Sequence, residues 1–224
     1  MDAFEIMKAR HSVRSYNERK MDPQVVKELQ ELIEECNKKG DLHLQLCLED
    51  SAAFDGFMAH YGKFSNVNNY IAVVGKKTKD LEEKAGYYGE KVVLKARELN
   101  LGTCWVAGTY SKGKCKAIID KGEKLLAVIT IGYFDKDGVP HKTKSVEELS
   151  KVLGNVPDWF KKGMEAAQLA PTAINQQKFY FTLEGNKVKA KAGLGFLTKL
   201  DLGIVKYHFE LGAGKENFTW AQEI

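Results

Sequence analysis

The run from Tyr70 to Gly75, YIAVVG, is apolar from end to end. A run this short and this uniformly apolar is typical of a strand covered on both faces, so it predicts a central strand of a sheet. Helical spacing of apolar residues lies on either side of it, from Pro23 to Gly40 and from Leu81 to Gly102. The chain must therefore combine a buried sheet with helices that cover it.

Further segments extend this mixture. Leucines alternate with other residues from Leu42 to Leu48, which predicts a half-buried strand, and two more strands are predicted at 103–108 and 125–133. Ser145 followed by Glu148 is a capping box, and it predicts a helix that ends near Gly154.

A second series of elements begins after residue 155. A helix is predicted from Pro157 and is broken by Pro171, a strand starts at Phe179 and turns back at Gly185, and a last helix runs roughly over 197–211. No low-complexity linker separates the two series. The fold class that we predict is therefore α+β, as a single domain over 1–224 built of two closely packed parts.

Charge and cysteine content exclude several classes of function. The 34 Lys and Arg residues barely exceed the 30 Asp and Glu residues, and no basic tail or face stands out, which argues against a nucleic-acid partner. The N-terminal residues lack the apolar core of a signal peptide, and no apolar stretch could span a bilayer. The four cysteines have neither C-x-x-C nor zinc-type spacing. We expect a cytoplasmic protein with reduced thiols and no membrane association.

Motifs for other chemistries are incomplete. The segment Gly108 to Lys114 fits G-x-x-x-x-G-K, yet Cys115 stands where a P-loop needs a hydroxyl, so a P-loop nucleotide hydrolase is only a lesser alternative. His43 and Cys47 share a strand face but have no further close ligands in the sequence, which favours two ordinary side chains over a metal site. We find no nucleophile elbow and assign no catalytic residue.

A polar cluster near the N-terminus is more informative. On an extended segment Arg10, Ser12 and Arg14 project to the same side, where two guanidinium groups and a hydroxyl could converge on one phosphate. The residues alone leave a second interpretation open, in which the segment is a solvated polar leader before the first long helix.

Four segments together resemble the nitroreductase family of FMN-dependent flavoproteins. They are RHSVRSY at 10–16, KARELNLGTCWVAG at 95–108, LLAVITIGY at 125–133 and GMEAAQLAPTAINQQ at 163–177. The resemblance implies a sheet-and-helix sandwich, normally an interlocked homodimer with FMN at the subunit interface. It also implies that NAD(P)H reduces the flavin, which then reduces nitroaromatics, quinones or similar small acceptors.

The order of these segments departs from the family pattern. The A-P-S/T-x-x-N block normally follows the first helices, but CNKKGDL occupies that place at 36–42 and the block appears only after residue 163. This order suggests two unequal nitroreductase-like halves, about 1–155 and 156–224, that imitate the two subunits of a dimer. We therefore expect one FMN site per chain and slightly favour a monomeric pseudo-dimer over a homodimer.

The resemblance also implies roles for particular residues. The phosphate and ribityl chain of FMN would be bound by Arg10, His11, Ser12 and Arg14. Backbone close to the flavin would come from Thr103, Cys104, Trp105 and Val106, although Trp105 could equally be a core residue and Cys104 is better explained as an inert buried thiol.

The remaining implied contacts lie later in the chain. Lys142 and Lys144 would add a basic phosphate partner, or would be a solvated charge pair in a polar loop. The residues expected along the isoalloxazine ring are Pro171, Thr172, Ala173 and Asn175. Asn66, Asn68 and Asn69 fall near where the family places polar contacts to the ring, and the sequence does not choose among them. A flavin-binding protein without turnover is the alternative function.

Overall fold

The computed structural model describes residues 2–221 and combines helices and sheets as predicted. Within these residues the chain forms seven α-helices and two four-stranded sheets. The α+β fold class is therefore confirmed. None of the helices in the described range has both the length and the apolar character that crossing a membrane requires.

The chain divides into two compact units, each drawn from separate stretches of sequence. Unit 1 consists of Met1–Lys8, Glu82–Glu90 and His141–Ile224, and unit 2 consists of Ala9–Leu81 and Lys91–Pro140. The division into halves at residues 155 and 156 stays a prediction.

The sheet of unit 2 is antiparallel throughout and has the strand order β1-β2-β4-β3. Its strands are β1 (Gln45–Cys47), β2 (Tyr70–Lys76), β3 (Gly102–Val106) and β4 (Glu123–Gly132). Strand β2 lies between β1 and β4, and the first six of its seven residues are buried. The prediction of a central buried strand is confirmed. The strand predicted over Leu42–Leu48 shrinks to the three residues of β1.

The helices of unit 2 begin and end for identifiable local reasons. Helix α2 (Pro23–Gly40) starts with proline at its first position and buries Leu29, Ile33 and Cys36, as the apolar spacing predicts. It ends because Asp41 adopts the left-handed conformation and donates its backbone N–H to the Asn37 carbonyl. The short helix α3 (Phe57–Tyr61) follows β1, and α4 (Leu81–Glu98) starts at the end of the first stretch of unit 2.

The sheet of unit 1 has the strand order β5-β6-β7-β8. Its strands are β5 (Ser150–Leu153), β6 (Phe179–Glu184), β7 (Lys187–Ala192) and β8 (Thr219–Trp220). Strands β6 and β7 form the predicted hairpin through Gly185, whose φ is +60°. The helices are α1 (Ala3–Ala9), α5 (Val146–Leu149), α6 (Asp158–Gln168) and α7 (Thr198–Ala213).

The C-terminal end predicted for the helix that begins at Ser145 is wrong. The capping box forms as predicted, since Ser145 Oγ accepts from the Glu148 backbone and the Glu148 carboxylate accepts from the Ser145 backbone. Helix α5 nevertheless stops at Leu149, and Ser150–Leu153 pairs in parallel with β6. Local capping favours the helix, but pairing with a distant strand determines where it ends.

Helix α7 is fixed by two close helix contacts within unit 1. A Cβ atom on Gly203 would lie 1.9 Å from the Glu83 carbonyl oxygen, and one on Gly86 would lie 2.0 Å from the Leu200 carbonyl oxygen. Only glycine allows backbones to approach this closely. Further along α7, the buried His208 lies 2.9 Å from the Glu90 carboxylate through Nε2 and 3.1 Å from the Ala166 carbonyl through Nδ1.

Candidate functional site

Eight of the fourteen predicted binding residues lie together in unit 2. The extended segment that carries Arg10, Ser12 and Arg14 runs beside the start of β3, where Ser12 forms a parallel bridge with Thr103. The Val13 backbone N–H donates to the Thr103 carbonyl at 2.9 Å. We call residues 10–14 the clamp segment. Pairing to β3 at Ser12 and Val13 agrees with the extended conformation predicted for this segment.

Residues outside β3 also contact the clamp segment. The Ser65 backbone N–H donates to the Arg14 carbonyl at 3.0 Å. The Tyr16 hydroxyl donates to the Val13 carbonyl at 2.8 Å and lies 2.6 Å from the Thr130 hydroxyl. A Cβ atom on Gly138 would lie only 2.6 Å from the Ser12 carbonyl oxygen, so the loop that carries Gly138 packs against the segment.

Electrostatic interactions link the polar groups of the clamp segment to Cys104. Burial raises the pKa of this thiol, while the Arg14 charge, the Ser12 hydroxyl and the Arg10 charge all act in the opposite direction. Arg10 is buried and Arg14 is exposed. The clamp segment therefore carries two cations and a hydroxyl that all interact with one buried thiol, and guanidinium and hydroxyl groups are donors that bind phosphate oxygens. The raised pKa agrees with the interpretation of Cys104 as an inert thiol.

The other residues of this group differ in exposure. His11 is half-buried, and burial lowers its pKa although Asp137 opposes the shift. Asp137 is held by an ion pair with Arg97 at 2.7 Å. Thr103 and Val106 are buried and Trp105 is half-buried.

The other six predicted residues lie together in unit 1, around a loop at 171–177 that we call the PTAIN loop. The Asn175 side-chain amide donates to the Lys142 carbonyl at 2.9 Å. The Lys144 backbone N–H donates to Oε1 of Gln177 at 2.8 Å, and Nζ of Lys144 donates to the Gln177 carbonyl at 3.4 Å. Residues 142–144 and the loop, whose contacting residues are 33 positions apart in sequence, thus form one structure.

The PTAIN loop has an unusual backbone. Helix α6 ends at Gln168, before Pro171, and a single 3₁₀ turn covers Ala173–Asn175. Ile174, Asn175 and Gln177 have φ of +48°, +55° and +46°, which is the left-handed region that side chains disfavour. A proline-broken helix end alone does not account for three such residues.

Two residues that sequence reasoning missed hold this loop. Gln177 is buried, and its amide donates to the Lys142 carbonyl at 2.9 Å and to Oδ1 of Asn175 at 3.1 Å. Asp201 is buried in the first turn of α7 and accepts from the Ala173 backbone N–H at 2.9 Å. An aspartate between Leu200 and Leu202 was the available signal.

Unit 2 also contains a cavity of about 350 Å³. Asn66, Asn68 and Asn69 line it together with Tyr16, Arg19 and Glu49. The structure thus brings the three asparagines together, but none of the fourteen predicted residues, all of which the structure describes, lines this cavity.

The fold gives His43 carboxylate neighbours that its sequence position does not reveal. Ligand atoms of His43, Asp120 and Glu123 lie within 4.8 Å of one another, and Cys47 is not in this group. Hydrogen bonds account for the arrangement, because Oε2 of Glu123 lies 2.9 Å from Nδ1 of His43 and accepts from the Asp120 backbone at 2.9 Å.

The segment with partial P-loop character lacks the required surroundings. A 3₁₀ turn covers Lys112–Lys114, and Cys115 is extended. Residues 115–122, all within the described range, contain no α-helix whose N-terminus could face a phosphate. The P-loop alternative therefore lacks both its hydroxyl and its helix.

Comparison with protein families gave one match over most of the chain. A family model described as "Putative TM nitroreductase" matches residues 2–213. No curated protein sequence matches the chain.

Solved structures with a similar fold are nitroreductase-like proteins. A "putative nitroreductase" from Thermotoga maritima superposes with a TM-score of 0.69 at 22% identity, covering 100% of this chain and 90% of that one. A "putative nitroreductase in complex with FMN" from Desulfovibrio desulfuricans gives a TM-score of 0.54 at 18% identity, covering 66% and 94%. A "Putative NADH dehydrogenase/NAD(P)H nitroreductase" from Bacteroides thetaiotaomicron gives 0.52 at 17% identity, covering 66% and 95%.

Proposed function

Because the chain belongs to the nitroreductase family, we propose that it is an FMN-dependent oxidoreductase that takes hydride from NAD(P)H and reduces small acceptors such as nitroaromatics or quinones. The observation that carries the proposal is the family match over residues 2–213, which includes both the clamp segment and the PTAIN loop. The FMN complex of the Desulfovibrio desulfuricans protein supports the choice of flavin. The name of the Bacteroides thetaiotaomicron protein supports the choice of donor.

The donor set of the clamp segment fits the phosphate of FMN. A dianionic phosphate needs charge-assisted donors, and the Arg10 and Arg14 guanidinium groups and the Ser12 hydroxyl offer them within one short segment. The neutral, buried thiol adds no negative charge that would repel the ligand. We assign phosphate and ribityl binding to Arg10, His11, Ser12 and Arg14, with backbone contacts from 103–106.

The PTAIN loop offers a different set of groups. We assign contacts along the isoalloxazine ring to Pro171, Thr172, Ala173 and Asn175, and a supporting charge to Lys142 and Lys144. Bound FMN would supply the hydride and electron chemistry, so the protein needs only to hold and orient it. We therefore assign no side chain as a nucleophile or as a general acid.

We also propose one FMN per chain. The R-x-S-x-R motif at 10–14 and the A-P-T-x-x-N motif at 170–175 each occur once in the sequence. The smaller FMN-bound relative covers 66% of this chain, so about a third of the chain lies outside that alignment. Both observations support two unequal halves that act as a pseudo-dimer with a single site.

The test is a titration followed by reduction. Purified protein is titrated with FMN, then mixed under nitrogen with NADH or NADPH, and then with a nitroaromatic or a quinone. We expect saturation at one FMN per chain, bleaching of the flavin by the nicotinamide, and its reoxidation by the acceptor. Binding without bleaching would favour the non-catalytic flavin protein, and absence of FMN binding would overturn the assignment.

A further inference from the structure

We infer that Asp201 is the positioning residue that fixes the conformation of the PTAIN loop, and through it the flavin ring. The effect on the flavin ring rests on the proposed function, because it takes the loop to be a flavin-binding element. The anchoring of the loop involves only residues of unit 1 and the hydrogen bonds among them.

The Asp201 carboxylate meets the loop with both oxygens. Oδ1 accepts from the Ala173 backbone N–H at 2.9 Å, and Oδ2 accepts from the Gln176 side-chain amide at 2.8 Å. The same Gln176 nitrogen donates to the Phe196 carbonyl at 2.7 Å. One carboxylate therefore ties the PTAIN loop to the first turn of α7, and Gln176 extends the link to the segment that precedes α7.

Hydrogen bonds within the loop join Thr172 to Gln177, and the external anchor acts on the strained stretch between them. Ile174 is a β-branched residue in the left-handed region, where its side chain is sterically disfavoured. Its side chain is 92% exposed, so burial of that side chain does not offset the backbone strain. The Asp201 bond to Ala173 acts one residue before this strained position and the Gln176 bond acts two residues after it.

The position of Asp201 is itself well defined. The Asp201 backbone N–H donates to the Leu197 carbonyl at 2.9 Å, and the neighbouring Gly203 packs against the Glu83 carbonyl. The side chain is 2% exposed, so an ionised carboxylate there depends on the two donors of the loop. Burial raises the pKa of Asp201 to about 6, and the carboxylate is still ionised at neutral pH. Anchor and loop thus stabilise each other.

An acidic residue in a first helical turn also interacts with the helix dipole, so the test must separate the two roles. Asp158 provides the matched control, because it lies in the first turn of α6 in the same unit, pairs with Lys161 and is exposed. The variants are Asp201→Ala, Asp201→Asn, Gln176→Leu and Asp158→Asn. Gln176→Leu removes one of the two bonds at a half-buried side chain and leaves the carboxylate in place.

Two measurements are made on the full-length chain. Hydrogen–deuterium exchange over 172–177 without added FMN reports the anchoring, and the FMN dissociation constant from flavin fluorescence reports its consequence. We expect Asp201→Ala to speed exchange at Ala173 and to weaken FMN binding, each about 10-fold or more. Asp201→Asn and Gln176→Leu should change both by about 3-fold, and Asp158→Asn should change neither by more than about 2-fold.

The outcomes are distinguishable. If Asp201→Ala does not fold, Gln176→Leu decides. Unchanged exchange at Ala173 in every folded variant would overturn the anchoring, and faster exchange with unchanged FMN affinity would overturn the role toward the flavin. A wild-type chain that binds no FMN would overturn the proposed function, while the exchange data would still decide whether Asp201 anchors the loop.

Discussion

The clamp segment of unit 2 and the PTAIN loop of unit 1 are held in place by different kinds of interaction. Main-chain hydrogen bonds join the clamp segment to β3 through Thr103 and to Ser65. The PTAIN loop depends instead on two buried side chains, Gln177 and Asp201. Backbone pairing tolerates substitution of the side chains that it carries, whereas side-chain anchoring does not. Binding and stability should therefore separate in the clamp segment and remain coupled in the loop.

The largest expected effect comes from removing the Gln177 amide. Gln177→Leu should lower the free energy of unfolding by about 4 kcal/mol, because the four hydrogen bonds of its buried side-chain amide are lost, each worth about 1 kcal/mol. Chemical denaturation measures the change. Ser12→Ala is the control in unit 2, where we expect a change below about 0.5 kcal/mol. Equal losses in both variants would contradict the comparison.

The pH dependence of stability should identify Asp201. Its pKa in the folded chain is about 6, above the ordinary value of 3.8, so the folded state retains a proton that the unfolded state releases. This group therefore makes the free energy of unfolding fall as the pH rises from about 4 to about 6. Asp201→Asn should remove up to about 3 kcal/mol of that decline. Chemical denaturation of the wild-type chain and of Asp201→Asn across this pH range measures the free energy of unfolding of each. Parallel pH profiles of the two proteins would contradict the prediction.

Loss of one guanidinium should affect binding more than folding. Arg10→Ala should weaken FMN binding about 10 to 100-fold, because one charge-assisted contact to the phosphate is removed. Fluorescence titration measures this change. Lys27→Ala is the control, since Lys27 is an exposed cation on α2 of unit 2, outside both the clamp segment and the cavity. If both substitutions weakened FMN binding equally, Arg10 would contribute only general positive charge.

The smallest expected effects come from two glycines. A Cβ atom on Gly138 would meet the Ser12 carbonyl oxygen at 2.6 Å, whereas one on Gly193 would meet Cβ of Lys178 at 3.3 Å. The shorter contact forces the backbone to shift and the longer one requires only a small adjustment, so Gly138→Ala should cost about 1 kcal/mol and Gly193→Ala less. Thermal unfolding of the two variants ranks them. The reverse order would show that the clamp segment is the more adaptable region.

Sequence patterns predicted the elements whose cause is local. Proline at the start of α2 and the uniformly apolar run of β2 were sufficient for their positions. Helix α5 shows the limit, since its capping box marks the beginning but nothing near Leu149 reveals that the next four residues pair with β6. When pairing with a distant strand determines where a helix ends, the neighbouring residues do not indicate that end.

The same limit applies to the candidate site. Motif resemblance selected two groups of residues that the fold brings together separately, but it did not select Gln177 or Asp201. The hydrogen-bond partners of Gln177 include Lys142, 35 residues away, and Asp201 contacts Ala173, 28 residues away. Residues that support a site through tertiary contacts carry no motif of their own.

The division of α4 bears on how the chain is made. Residues 82–90 belong to unit 1, where Gly86 lies close to Leu200 and Glu83 lies close to Gly203 of α7, 114 and 120 residues later in the chain. The ribosome therefore synthesises the first half of α4 long before the helix that it packs against. Until α7 has been made, this half of α4 lacks its partner and is exposed to chaperones.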